Sequence, residues 1–227
     1  IRKPIGEVTI GVVGKYLELN DAYKSLFEAL THGGVSNNVK VKIKNIDTDK
    51  LEKNKNKTLF NGVNGILVPG GFGKRGSEGK IFASKYAREN KIPFFGICFG
   101  MQMAVVDIAR NLLEYKSASS SEFGKTDTPV IGLLTEWLKD EEIQKRDFES
   151  EYGGTMRLGS YPAILKKGSK VRNIYGSKKI NERHRHRYEA NMSFVDDLER
   201  VGLKFVGMSP DGLLPEIVEL KNHPWFI

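Results

Sequence analysis

The chain has 227 residues, 39% of them hydrophobic, which suits one large domain or two small ones with ample material for a core. No apolar run approaches the length of a membrane span, no secretory signal opens the chain, and Ile1-Arg2-Lys3-Pro4 reads as a cut end rather than a natural start. A single cysteine leaves no internal disulfide and fits a reducing compartment, while a formal net charge of +8 raises the question of an anionic partner.

The basic residues are dispersed rather than clustered. Lys40, Lys42 and Lys44 alternate along one segment, and Lys53, Lys55 and Lys57 alternate with asparagine. A solvated basic surface accounts for this better than a nucleic-acid site. Attraction of anionic nucleotides or of an acidic partner domain stays open.

In chain order, Val8–Gly14 reads as a buried first strand. Asn20 or Asp21 can cap a helix through Ala22, Tyr23, Leu26, Phe27 and Leu30, stopped by Gly33-Gly34. Val39–Ile43 alternates apolar and basic, as an edge strand does, and Leu51–Leu59 is a polar connector with some helical pattern. Gly65–Pro69 is a second buried strand, Ser77–Glu89 a helix, Ile92–Ile97 a third buried strand, and Phe99 to about Leu113 an amphipathic helix. Strands alternating with helices predict an α/β fold, a mostly parallel sheet flanked by helices with right-handed crossovers. Such a sheet carries its site at the strand C-termini. Beyond Leu113 the pattern changes: a serine-rich loop at Ser117–Ser121, a strand at Val130–Leu134, and a charged, exposed or mobile stretch at Leu138–Glu151. Short strands are then expected at Thr155–Leu158, Ala163–Leu165, Val171–Tyr175, Leu203–Met208 and Ile217–Leu220, with a helix at Phe194–Val201. They predict antiparallel additions at one end of the sheet.

Two strand ends carry loops fit for chemistry. The first is Gly96-Ile97-Cys98-Phe99-Gly100, a thiol at the apex of a strand–turn–helix. This is the spacing of a nucleophile elbow, in which flanking glycines make room for a strained turn. The following helix aims its free N–H groups and positive end at the sulfur, which favours negative charge there. The Phe99 N–H faces the place where an oxyanion would form. A buried structural cysteine is the alternative, and the paired glycines argue against it.

The second loop is Pro69-Gly70-Gly71-Phe72-Gly73, continuing to Gly79. Gly71, Gly73 and Gly76 match a dinucleotide fingerprint, but the next strand ends in Gly96 rather than in the acid that would hold a ribose. A phosphate-binding P-loop is excluded because Lys80 is followed by Ile81. Gly70 and Gly71 instead serve as exposed backbone donors opposite Cys98, with residues 73–79 as a mobile lid. A plain glycine-rich turn is the alternative.

Four stretches carry a resemblance: residues 69–76; Gly96 to Gln102; Gly153-Gly154-Thr155-Met156-Arg157-Leu158-Gly159; and Glu182-Arg183-His184-Arg185-His186-Arg187-Tyr188-Glu189. Together with Gly14-Lys15-Tyr16 and Asp21–Ser25 they resemble the glutaminase domains of CTP synthases, which are class I (triad-type) glutamine amidotransferases of flavodoxin-like architecture. The resemblance covers nearly the whole chain, 1–227, as one glutaminase domain without the synthetase domain. It implies hydrolysis of L-glutamine to glutamate and ammonia. The ammonia would aminate ATP-activated UTP in a synthetase domain of the same polypeptide, within pyrimidine biosynthesis. Residue by residue it implies Cys98 as nucleophile, and Gly71 and Phe99 as oxyanion donors. Gly100, Met101, Gln102, Glu122 and Arg187 join them around the glutamine. A carboxylate for the ammonium and a guanidinium for the carboxylate is what a zwitterionic amino acid needs. Glu122 as a turn-capping acid, and the Arg183–Arg187 cluster as a solvated strand, phosphate patch or nucleic-acid site, are the alternatives. Strand alternation would put Arg183, Arg185 and Arg187 on one face and His184 and His186 on the other.

The resemblance further implies ATP, Mg2+ and the activator GTP for the parent enzyme, no cofactor or metal in this domain, no nucleic-acid or membrane partner, a homotetramer, and a cytoplasmic setting. The family's catalytic His and Glu follow the segment matched by Asn222-His223-Pro224-Trp225-Phe226, so His223 is not the catalytic histidine. The pair is expected in a tail beyond Ile227. His32, His184 and His186 are not placed for the role by the resemblance. A non-catalytic glutamine-binding or assembly module, and a cysteine hydrolase acting on another substrate, remain as alternative functions.

Overall fold

The computed structural model describes residues 3–15, 23–133, 136–139, 142–145 and 156–227. They divide into a first unit, Ile1–Ala104 with His223–Phe226, and a second, Val105–Asn222 with Ile227.

In the first unit, β1 (Gly6–Gly14), β2 (Val39–Asp47), β3 (Gly65–Val68) and β4 (Phe94–Gly96) form a parallel sheet in the order β2-β1-β3-β4. That order is the doubly wound one, reversing between β1 and β3. All four residues of β3 are buried, as a central strand covered on both faces requires. β2 lies at the sheet edge, with Lys40 and Lys42 exposed, as its alternation predicts. β4 is shorter than the apolar run that contains it. Its ladder still extends to Pro93 and Ile97 through Ile66 N–H to Pro93 O at 2.8 Å and Ile97 N–H to Val68 O at 2.9 Å. On its other side Phe94 N–H donates to Trp225 O at 2.9 Å, and the Phe94 and Phe226 rings stack at 4.4 Å.

The crossover helices are α1 (Lys24–Ser36), α2 (Thr48–Asn54) and α3 (Ser77–Glu89). Tyr23 at its N-cap and Leu26, Phe27 and Leu30 of α1 pack, partly buried, against the core of Val12 and Leu67. The helix runs through Gly33-Gly34 rather than stopping there. Gly34 is buried because a Cβ would lie 2.7 Å from Val41 Cγ2 and 2.8 Å from Val39 O, so the glycine admits β2 rather than ending the helix. The proposed caps Asn20 and Asp21 lie outside the described residues, as do Tyr16 and Ala22. The polar connector contains α2, capped by Asp47 accepting from the Asp49 and Lys50 N–H groups, then a 3-10 turn at Lys57–Phe60.

The chain enters the second unit within α4 (Phe99–Asn111). Here β5 (Ala118–Ser120), β6 (Thr128–Leu133) and β11 (Tyr188–Ala190) form one sheet, β11-β6-β5. β9 (Arg157–Leu165), β10 (Lys179–His186), β12 (Leu203–Met208) and β13 (Pro215–Leu220) form an antiparallel sheet of order β10-β9-β12-β13. The antiparallel strands expected at the end of the parallel sheet thus pair among themselves. Two local expectations change. The serine-rich loop contains β5, because Ala118 and Ser120 are buried against β6. Within the charged stretch Leu138–Glu151, residues 138–139 and 142–145 belong to the paired strands β7 (Glu136–Lys139) and β8 (Glu142–Lys145); residues 140–141 and 146–151 lie outside the description. Val171–Tyr175 is not a strand but most of α5 (Lys170–Tyr175), since Ser169 accepts from Arg172 N–H at its start and Gly176 closes it at φ +65°. α6 (Val195–Arg200) falls where a helix was expected, and the two short strands around residue 160 are one, β9. Thr155 and Leu134 lie outside the described residues. Among those described, no helix is long and apolar enough to cross a membrane.

Gly79 marks a close contact between α3 and α2: a Cβ there would collide with the Thr48 carbonyl oxygen, on backbone that cannot swing aside. Gly79→Ala gains about 1 kcal/mol of helix propensity and loses about 1–3 to overpacking. The expected result is a net loss of up to about 2 kcal/mol, read from the urea midpoint at unchanged m-value.

Candidate active site

The register pairs Val68 with Gly96, so β3 and β4 end level and release their loops side by side. The β4 loop turns at once into α4. Gly100 N–H donates to Ile97 O at 2.8 Å and Gln102 N–H to Cys98 O at 3.1 Å, which leaves Cys98 at φ +54°, half-buried at the apex. A non-glycine residue in the left-handed region costs roughly 1–2 kcal/mol, so neighbours must impose it. Both flanking glycines are packed shut. A Cβ on Gly96 would stand 2.8 Å from Gly100 C and Met101 N, and one on Gly100 would strike the Val68 carbonyl oxygen. Met101 and Gln102 are buried in the first turn of α4, behind Phe99, which is 1% exposed.

The glycine loop faces this turn. A Cβ on Gly70 would sit 3.6 Å from Cys98 Cβ and 3.9 Å from Sγ, and one on Gly71 3.8 Å from Phe99 Cδ1. The structure therefore brings Gly70, Gly71, Cys98 and Phe99 together. The lid expectation for residues 73–79 changes: Gly76, Ser77 and Gly79 are buried in the start of α3, against Thr48, and only Phe72, Lys74, Arg75 and Glu78 are exposed. The loop is held from outside, by Arg75 Nη2 at 2.9 Å from Asp49 Oδ2 and by Lys15 Nζ donating to Phe72 O at 3.4 Å. It is held from inside by Lys80, whose Nζ donates to Pro69 O at 3.0 Å and lies 4.8 Å from the Phe99 ring centroid. Burial, then the Lys15 charge, lowers the Lys80 ammonium to about 8, with Cys98 acting the other way. Sequence reasoning missed Lys80, because a lysine on an amphipathic helix reads as solvated.

In the second unit, Glu122 lies half-buried in a 3-10 turn, Ser121–Phe123. The turn's N-cap is Ser120, whose hydroxyl accepts from Glu122 N–H at 3.2 Å. Arg187 occupies the bend between β10 and β11 and is half-buried. The alternation expected for this segment holds from 183 to 186, with Arg183 and Arg185 exposed and His184 buried, and ends at that bend.

The inward face of this segment builds a charged cluster that sequence reasoning also missed. Arg157 lies over the Tyr161 ring at 4.3 Å, with Nη2 2.5 Å from Glu216 Oε1 and Nη1 3.6 Å from Glu189 Oε1. His184 Nδ1 stands 3.3 Å from Glu216 and His186 Nδ1 3.1 Å from Glu189. Burial pushes the Glu216 carboxyl up against the pull of Arg157. Burial first, then the Arg157 and His186 charges, pushes His184 down to about 3. The remaining histidines are placed elsewhere. His32 is exposed on α1. His223 is buried, its Nδ1 accepting from Trp225 N–H at 3.2 Å and its Nε2 facing Ala87 O at 3.2 Å, a structural role at the sheet edge.

A family model for class-I glutamine amidotransferases matches residues 18–227. The CTP synthase of Rhizobium leguminosarum bv. trifolii (strain WSM2304) is 61% identical over all 227 residues, as is that of Maricaulis maris (strain MCS10). The chain spans 42% of the length of these curated relatives. The solved Trypanosoma brucei CTPS glutaminase domain with bound acivicin is similar at TM-score 0.85 and 33% identity, over 96% of this chain and 83% of that one.

His184 is expected to stay neutral from pH 8 to pH 5, because its midpoint lies near 3. Its folded value is below the unfolded one of about 6.5, so its contribution to stability falls as pH drops through that window. Imidazole proton shifts followed by NMR check this: the His184 resonances are expected to stay constant across the interval.

Proposed function

The chain belongs to the class-I glutamine amidotransferase family, and from that membership we propose that it hydrolyses L-glutamine to glutamate and ammonia with Cys98 as the nucleophile. The observation that carries this reading is the Cys98 turn: a positive φ at a thiol, between two glycines with no room for a side chain, facing a glycine loop. Such strain is expected where chemistry needs an exposed nucleophile.

Cys98 Sγ attacks the side-chain amide carbon, and the carbonyl electron pair moves to oxygen. The oxyanion accepts from the N–H groups of Gly71 and Phe99. Its collapse breaks the C–N bond, ammonia leaves with a proton from a general acid, and a glutamyl thioester remains. Water gives a proton to the same group, attacks the thioester, and glutamate departs as the thiolate returns. We assign the shuttle to none of His32, His184, His186 or His223, for the placements given above. On the family resemblance Glu122 receives the glutamine ammonium and Arg187 its carboxylate, and Gly100, Met101 and Gln102 are substrate-binding residues.

For the longer protein, similarity to CTP synthases supports a further assignment. The ammonia passes to a synthetase domain of the same polypeptide, which aminates ATP-activated UTP to CTP. ATP and Mg2+ serve that domain, GTP activates, and the enzyme works as a cytoplasmic homotetramer.

Cys98→Ala in the full-length protein is expected to lower glutamine hydrolysis by about a thousandfold or more. A diazo-ketone analogue of glutamine is expected to add one adduct, mapped to Cys98 by mass. Hydrolysis at the parent rate in Cys98→Ala would sink the reading.

A further inference from the structure

Lys80 is a buried cation with no acidic side chain paired to it among the described residues. The residue is 2% exposed. Its ammonium donates to the Pro69 carbonyl at 3.0 Å and lies 4.8 Å from the Phe99 ring centroid. It also lies 3.1 Å from where a Cβ on Gly71 would stand, so a side chain at 71 would press on it. An isolated ammonium taken out of water is strongly unfavourable unless a charge or several hydrogen bonds compensate it. A methionine would fill the same space with no charge to desolvate. The titratable groups that face Lys80 are Lys15, from the end of β1, which repels it, and Cys98, from the elbow, which attracts it.

We propose that Lys80 is a positioning residue for glutamine hydrolysis: its ammonium pins the Pro69–Gly71 loop beside the elbow and supplies the fixed positive charge that holds the Cys98 thiolate and the oxyanion. This rests on the reading of Cys98 as the nucleophile. One side chain touches both supports of the oxyanion, the loop through Pro69 O and the helix start through the Phe99 ring. Its charge is buried, where electrostatic effects are larger than at a surface. The midpoint near 8 adds a pH limit: the ammonium is present below it and lost above.

The test uses Lys80→Met in the full-length protein, with two readouts. Iodoacetamide, which needs no glutamine pocket, reads the thiol directly. Its rate at Cys98 at pH 7 is expected to fall about tenfold, because the thiolate is the reactive form and its neighbouring positive charge is gone. The glutaminase kcat is expected to fall with little change in KM. The parent's decline in kcat above about pH 8 is expected to be absent from the variant. The thermal midpoint is expected to hold or rise, since an unpaired buried charge is gone. An alkylation rate within twofold of the parent, with the alkaline decline intact, would overturn the proposal. If Lys80→Met does not fold, Lys15→Gln serves: removing the repelling charge moves the alkaline decline to higher pH, and an unmoved decline overturns the proposal equally. Failure of the underlying reading is separate, because it shows as undiminished hydrolysis in Cys98→Ala.

Discussion

The first turn of α4 rests directly on the C-terminal end of β3, backbone against backbone. Gly100 has no space for a side chain because the Val68 carbonyl stands there, and Gly96 has none because the Gly100–Met101 peptide does. With strand and helix pressed this closely, the chain has two residues in which to reverse, and Cys98 absorbs the reversal at φ +54°. A thiol held this way is kept off the sheet surface, at the start of a helix whose free N–H groups point toward it. The glycine loop, the level ends of β3 and β4, and the buried lysine behind the loop all take their positions from that contact.

The second unit depends on a different constraint, the sharing of one guanidinium. Arg157 is 2% exposed and answers two buried carboxylates, Glu189 on β11 and Glu216 on β13, while its plane covers Tyr161. β11 belongs to the β6 sheet and β13 to the β9 sheet, so the charge cluster ties one sheet to the other. Removing Arg157 would leave two desolvated carboxylates without the guanidinium they share, the costly half of a broken buried pair. Arg187 occupies the bend between the strands this cluster joins.

The parallel sheet was legible in the sequence because its signals are local. Val8–Gly14 and Gly65–Pro69 are apolar runs bounded by glycine or proline, and Gly96-x-Cys98-x-Gly100 carries its own geometry. Where the reading departed from the structure, tertiary contact overrode a local sign. Gly33-Gly34 resembles a helix stop, yet its role is clearance for β2. Val171–Tyr175 has a β-branched start, yet Ser169 and Gly176 cap it as a helix. The Arg157 cluster and Lys80 were not legible at all. Charged side chains are almost always solvated, and nothing within a few residues of Arg157, Glu216 or Lys80 announces that distant strands and loops will enclose them. The histidine and arginine alternation at 183–186 was read correctly as two faces, but not which partners the inner face would meet.

β2 also bears on how the molecule behaves at high concentration. As an outer strand, among the described residues, it offers an unpaired row of backbone donors and acceptors to any other chain. Its segment Val39-Lys40-Val41-Lys42-Ile43-Lys44 would, stripped of charge, be a short β-branched run of the kind that stacks into fibrils. The interleaved lysines set like charge against like charge when two such edges meet. Glu7, 2.6 Å from Lys42 and 3.7 Å from Lys40, answers them within the sheet. Part of the +8 net charge is thereby accounted for as colloidal protection of an open edge, with no anionic ligand required.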